Sequence, residues 1–255
     1  MPLRTAFERE RESAPPPSAG LCAWRATGPY LPTAASKNGL VAETRLFLHA
    51  YRTAGSVSQA RDALINRLLP QRSRETRMVI ARHVQARLTR WNPPIWVLDD
   101  LAQASEAQEL TRLRVLLLLH HGRQETLLYD LVQDLVVPHW RNGEVYLSRA
   151  TVLALLTDLA ERHAEVGRWS DATRLKLAGN LLTTLRDYGM LTGRHIRQIV
   201  EPAVDALACQ HLARLLTAEG VPGARLADHP DWRLWLMPPE RVRARLATLP
   251  VRTDE

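Results

Sequence analysis

From Ala34 onward, apolar residues recur at helical spacing, in segments cut apart by Pro70, Pro93-Pro94, Pro138, Gly143, Gly167, Gly189, Gly193, Pro202, Gly220, Pro230 and Pro238-Pro239. Proline lacks the N–H that a helix interior needs, and glycine readily takes the left-handed conformation that ends one, so each break marks a helix boundary. The intervening stretches have ordinary helix lengths. Period-two runs of Val, Ile and aromatic residues are scarce, and the best, Ile196 to Val200, is short. An all-α fold with room for one small β-ribbon is the expectation. Residues 1–33 alternate charges with Ala, Pro and Ser, include Pro15-Pro16-Pro17, and read as a disordered Pro-rich arm. The rest divides into an expected N-terminal helical domain at 34–141 and a C-terminal one at 142–255.

A chain of 255 residues can bury a core without metal or disulfide staples. Cys22 and Cys209 match no metal or redox spacing and read as thiols of a reducing compartment, which fits the cytoplasm. The longest apolar run, Val115 to Leu119, is bracketed by Arg114 and His120 and is far short of a membrane span. No secretory signal is visible in the first residues.

Lys and Arg number 34 against 27 Asp and Glu, a net charge of +7. Lys37 and Lys176 are the only lysines. Arginine's planar fork suits paired hydrogen bonds to phosphate, although a GC-rich genome would produce the same bias. Under either origin the positive surplus favours polyanionic partners.

Two segments repeat one pattern. Ser73-Arg74-Glu75-Thr76-Arg77 opens one apolar-periodic helix and Ser170-Asp171-Ala172-Thr173-Arg174 opens another, each serine placed to cap the first N–H groups. Each follows another amphipathic helix, beginning near Ser58 or Ser148, across a break at Pro70 or Gly167. A helix cap alone accounts for the first copy. The second continues into Asp187-Tyr188-Gly189-Met190-Leu191-Thr192-Gly193 and the short extended stretch. Two helices followed by a glycine-bounded ribbon is the order of a winged helix-turn-helix.

At 100° per residue the second capped helix places Leu175, Ala178, Leu182 and Leu185 on the face expected to be buried. Thr173, Lys176, Asn180 and Thr183 lie opposite, a surface able to bond base edges or phosphates, and equally able to be simply solvated. Arg174 falls near the apolar edge and reads as structural. In the first copy Ile80, Val84, Leu88 and Trp91 form the buried stripe, with Arg74 and Arg82 facing away. Ser170 and the cations Lys37, Arg72, Arg194 and Arg197 complete the candidate nucleic-acid-binding set.

No Walker loop, dinucleotide-binding glycine pattern or paired-histidine zinc helix occurs, so no cofactor is expected. His120 and His121 point about 100° apart on a helix and do not chelate by themselves. Asp99, Asp100, Glu106 and Glu109 read as a solvated acidic run rather than a nuclease cluster, no lysine being near. Trp140, Trp169, Trp232 and Trp235 read as core plugs at helix junctions, whereas Trp24 in the arm could stack on bases.

Six stretches in order carry a family resemblance: Ser36-Lys37-Asn38-Gly39-Leu40 with Glu43-Thr44; Arg72 to Arg77; Pro138-His139-Trp140-Arg141 with Gly143; Trp169-Ser170 with Thr173-Arg174; Leu185-Arg186-Asp187-Tyr188-Gly189; and His229-Pro230-Asp231-Trp232-Arg233 ahead of Pro238. Over about residues 36–249 the chain resembles the BrxA proteins of bacteriophage exclusion (BREX) defence systems. The resemblance implies a helical, non-enzymatic component of a phage-defence system, likened to the RNA-binding antitermination protein NusB and thought to bind DNA. The expectation is therefore an all-α protein of two packed helical subdomains, the C-terminal one winged-helix-turn-helix-like. It binds double-stranded DNA and works with other BREX proteins, such as a methyltransferase. A protein–protein adaptor and an RNA-binding protein are the alternatives.

Overall fold

A computed structural model describes residues 29–32, 37–108 and 110–248. The described part of the chain is helical apart from one two-stranded ribbon, as the punctuation predicts. Helices α1 (Val41–Ala54), α2 (Val57–Ala63, prolonged by a π turn at Leu64–Leu68), α3 (Arg74–Thr89), α4 (Ile95–Glu106) and α5 (Thr111–Gln124) come first. Helix α6 starts as Thr126–Asp130, widens into a π turn at Leu131–Val136 and continues as Val137–Arg141. Then follow α7 (Arg149–Arg162), the single turn α8 (Ala164–Gly167), α9 (Asp171–Asp187), strands β1 (Leu191–Thr192) and β2 (Gln198–Ile199), and α10 (Ala206–Ala218). Two 3-10 segments, Gly223–Asp228 and Pro230–Trp235, lead into α11 (Pro239–Ala247).

Helix α5 is the centre of the molecule. Every residue from Val115 to Arg123 is buried, so over that stretch the helix has no solvent face to supply amphipathic contrast. Helices α1, α3, α4, α6 and α10 and the second 3-10 segment pack around it. That is the physical meaning of the run Val115 to Leu119: five apolar residues in a row need cover on all sides. Removing the side chain of a fully buried leucine such as Leu116 or Leu118 costs about 2–5 kcal/mol.

The chain after Asp205 returns to this hub. Trp235 is buried and its indole N–H donates to the Val115 carbonyl at 2.9 Å, and Leu234 lies against Gly122. Trp232 is equally buried, while Trp140 and Trp169 pack partly buried on the core edge. The buried residues form one cluster from Tyr30 to Val242, continuous across the expected boundary at 141–142.

Local chemistry sets five of the helix starts. Ser56, Ser73, Ser148, Ser170 and Asp205 each accept an N–H from the first turn of the helix they precede. The first repeat's leading helix is thus capped by Ser56, two residues before the expected Ser58. Pro138, expected as a break, lies inside α6. The preceding π turn, closed by the Val137 N–H on the Val132 carbonyl, gives the ring room that a regular turn would not.

Most of the expected arm, residues 1–28 and 33, lies outside the described residues, as do Cys22 and Trp24. Within it Tyr30 is buried, and its hydroxyl donates to the Asp130 carboxylate at 2.7 Å. Among the described residues no helix is long and apolar enough to cross a membrane.

Candidate nucleic-acid interface

The second repeat folds as two helices and a ribbon. Helix α7 packs on α9, and α9 runs into β1 through Gly189. Strands β1 and β2 pair antiparallel, Leu191 with Ile199 and Thr192 with Gln198. The stretch ahead of α7 joins them: Tyr146 bridges Gln198, the Leu147 N–H donates to the Arg197 carbonyl at 2.9 Å, and the Ile199 N–H to the Val145 carbonyl at 2.7 Å. Gly193 holds φ of 80° at the ribbon turn, and a Cβ there would sit 2.0 Å from the Ile196 oxygen. Only glycine permits so tight a turn, whose outer residues Arg194, His195 and Ile196 are exposed.

Helix α9 corrects one expectation about its faces. Leu177, Ala178, Leu181, Leu182 and Leu185 are buried, but Leu175 is 47% exposed. Leu175 is the fifth residue of the helix and lies just beyond the rim of the stripe that Leu181 and Leu185 centre. Lys176 is exposed, and Thr173, Asn180 and Thr183 are half-buried. Two polar groups of the expected reading face are already engaged. The Ser170 hydroxyl accepts the Thr173 N–H at 3.2 Å and touches the Thr173 hydroxyl at 3.0 Å. Thr183 donates to the Gly179 carbonyl at 2.9 Å. Arg174 donates to the Gly167 carbonyl and faces Asp171 at 3.6 Å, a structural role as expected.

The first repeat carries a separate basic region. Ile80, Val84, Leu88 and Trp91 are buried, and Arg72, Arg74 and Arg82 are exposed. Burial, followed by the charges of Arg87, Lys37, Arg82 and Arg90, holds the His83 imidazole below its ordinary range. Lys37 and Arg82 therefore belong to one cationic group, in which Arg87 and Arg90 take part. Arg72 and Arg74 sit at the start of α3, about 12 Å along its axis from Arg82 at 1.5 Å per residue. There the Arg72 carbonyl accepts from Arg77, which also ties down the carbonyls of Ile65 and Gln71.

Several guanidinium groups elsewhere are taken up by carboxylates or backbone. Arg52 pairs with Glu106, Arg162 with Asp158, Arg241 with Glu201 and Arg243 with Asp228. Arg112 pairs with Asp205, and Arg45 donates to the Ser105 carbonyl. By contrast, Arg149, Lys176, Arg194 and Arg197 make no ion pair among the described residues. Arg197 is half-buried with its Nε lacking a hydrogen-bond partner. Burial, then the charges of Arg149 and Arg186, disfavour its ionised form. Arg149 and Arg186 were missed by sequence reasoning, because the pairing of residues 145–147 with 197–199 brings Arg149 near Arg197, and the return of the ribbon to the end of α9, with the Val200 N–H on the Met190 carbonyl, brings Arg186 there.

The two regions are linked through Gly39. Its N–H donates to Asp187 at 3.0 Å, and Asp187 lies 3.5 Å from Arg186. Lys37 is two residues away along the chain.

The acidic run and the histidines are more engaged than the sequence suggests. Asp100 accepts from His211 Nδ1 at 2.7 Å, His211 Nε2 meets His120 Nε2 at 2.8 Å, and Trp91 stacks on His120. His121 pairs with the Tyr188 hydroxyl at 2.9 Å, and Glu109 lies outside the described residues. Among the described residues no group of His, Cys, Asp or Glu has the arrangement to hold a metal ion.

The family model described as BrxA matches residues 28–215, a span that includes both basic regions and the ribbon. No curated protein matches the chain.

Proposed function

This chain belongs to the BrxA family, and from that premise we propose that it is a non-enzymatic, duplex-DNA-binding accessory component of a BREX phage-defence system. The observation that carries the DNA reading is a set of cations without carboxylate partners among the described residues, on one unit of the fold. Lys176, Arg194, Arg197 and Arg149 are left without carboxylates on one helix-helix-ribbon unit, whereas Arg52, Arg112, Arg162, Arg241 and Arg243 are each paired with one. Unneutralised cations on one surface lower the free energy of a polyanion there and cost the free protein mutual repulsion.

In this reading α9 lies toward the major groove with Lys176 and Asn180 outward, and Arg194 on the ribbon reaches the flanking backbone. Lys37, Arg82 and the start of α3 supply a second set of phosphate contacts. The protein then presents DNA to a larger subunit such as a methyltransferase. Neutralising Z phosphates makes log K fall with log salt at a slope of about −0.9Z, so four contacts give roughly −4.

The test is a duplex mobility-shift titration across salt concentrations with the full chain and with Lys176→Glu and Arg74→Glu. Steep salt dependence and weakened binding by both variants are expected. A flat salt response removes the DNA reading. Retained DNA affinity with loss of co-purifying defence proteins favours the adaptor, and preference for single-stranded RNA favours a NusB-like role.

A further inference from the structure

We infer that Arg149, Arg186 and Arg197 form a discrete oxyanion site that takes one phosphoryl group in the angle between the start of α7, the outer side of α9 and the ribbon. Three elements build it. Arg149 is the first residue of α7, and its guanidinium lies along α9 at Gly179, where an added Cβ would be 3.5 Å from Nη2. Arg186 is seven residues, about two turns, beyond Gly179 and so on the same side of α9. Arg197 is brought in from the ribbon, its carbonyl bound by the Leu147 N–H two residues before Arg149.

Of the three guanidinium groups only Arg186 has a carboxylate beside it among the described residues, Asp187 at 3.5 Å, which already accepts the Gly39 N–H. The Arg197 Nε is buried without a hydrogen-bond partner. A buried N–H left unpaired and a local excess of positive charge both cost the free protein stability, and a single tetrahedral anion would relieve both. The N-terminus of the 14-residue α7 adds its dipole in the same direction. Gly179 keeps the helix surface low where the Arg149 side chain crosses it.

The ligand chemistry is a phosphoryl dianion or diester. Its carrier can be the DNA backbone, which rests on the duplex-binding reading, or a free phosphate compound, which does not. The two sources are separable. Full-length protein and the Arg149→Gln, Arg186→Gln and double variants are compared by thermal melting in chloride and in pyrophosphate at equal ionic strength, and by duplex binding across salt.

In chloride the variants are expected to melt at or above the wild-type temperature, since each relieves like-charge repulsion. Pyrophosphate is expected to raise the melting temperature of the wild type and not of the double variant. The salt slope for duplex is expected to shrink by about 1 in the double variant, because the site engages a single phosphate. A pyrophosphate response that depends on these arginines, with duplex affinity unchanged, assigns the site to a free phosphate. A wild type that fails to bind duplex at low salt defeats the DNA reading, and the pyrophosphate arm then decides the site alone. Arg149→Lys keeps the charge without the fork and is expected to lose several-fold of the anion response. The inference is overturned if pyrophosphate stabilises the double variant as much as the wild type, or stabilises neither while the duplex slope is unchanged.

Discussion

The backbone N–H of Gly39 donates to the Asp187 carboxylate at 3.0 Å although 148 residues separate them. The Gly39 carbonyl accepts from the Tyr188 hydroxyl and from Arg87, each at 3.1 Å. One short stretch thereby joins α3, the end of α9 and the start of α1. It is held in an uncommon backbone shape, with Asn38 and Leu40 at φ of 54° and 51° on either side. A Cβ on Gly39 would lie 2.6 Å from the Asp187 Cβ. Gly39→Ala is therefore expected to destabilise by about 1–3 kcal/mol, the cost of forcing an overpacked contact apart. Urea unfolding measures it, and Asp187→Asn, which keeps an acceptor, is expected to cost less than Asp187→Ala.

The faces of α9 make a second prediction. Leu175→Gln is expected to change stability by no more than about 0.5 kcal/mol, because the side chain is already in solvent. Leu181→Ala, with a fully buried side chain, is expected to cost about 2–5 kcal/mol. Paired unfolding curves settle the helix phase. Comparable losses from the two would contradict the observed rotation of α9.

Glu219 gives a prediction with a defined sign. It is buried, bound to Arg123, and its Oε2 has no hydrogen-bond partner. Burial outweighs the Arg123 charge and pushes its carboxyl up to about 7 from the ordinary 4.5. With the folded value raised, the unfolded chain loses this proton first, so the group's stabilising contribution declines as pH rises from 4.5 to about 7. Glu219→Gln is expected to remove that decline while still accepting from Arg123. Glu219→Ala leaves buried Arg123 short of a partner and is expected to cost about 1–3 kcal/mol. Melting temperatures of wild type and Gln variant from pH 5 to 8 provide the check.

The buried histidine pair predicts the opposite slope. Burial, then His211 and Arg123, hold His120 well below its ordinary 6.5. A 2.8 Å contact between two ring nitrogens has room for one proton only. With the folded value depressed, stability from this group is present above pH 6.5 and is lost as pH falls below it. His120→Gln offers an amide N–H toward His211 without titrating, and its difference from wild type is expected to shrink between pH 7 and 5.5. Constant differences across that range would rule the coupling out.

The helical elements were legible because their signals are local. A serine cap acts within three residues, and an apolar stripe repeats every turn, so Ser73, Ser148 and Ser170 declare their helices wherever the chain goes. The same locality misled at two points. Pro138 read as a break because the π turn that ends two residues before it is not written in propensity, and Leu175 read as core because an apolar residue at the edge of a stripe need not be covered.

Of the candidate interface, the sequence determined that α3, α9 and the ribbon carry cations, with Arg74, Arg82, Lys176 and Arg194 exposed as expected, and that the chain carries a surplus of them. Only the tertiary structure decided which cations stay unneutralised and which meet. Arg149 and Arg197 are brought near by strand pairing, His120 meets His211 across a packed helix pair, and Gly39 reaches Asp187 across the whole fold. Charge neutralisation and convergence are properties of distance, and distances between remote residues are fixed by how the helices pack around α5.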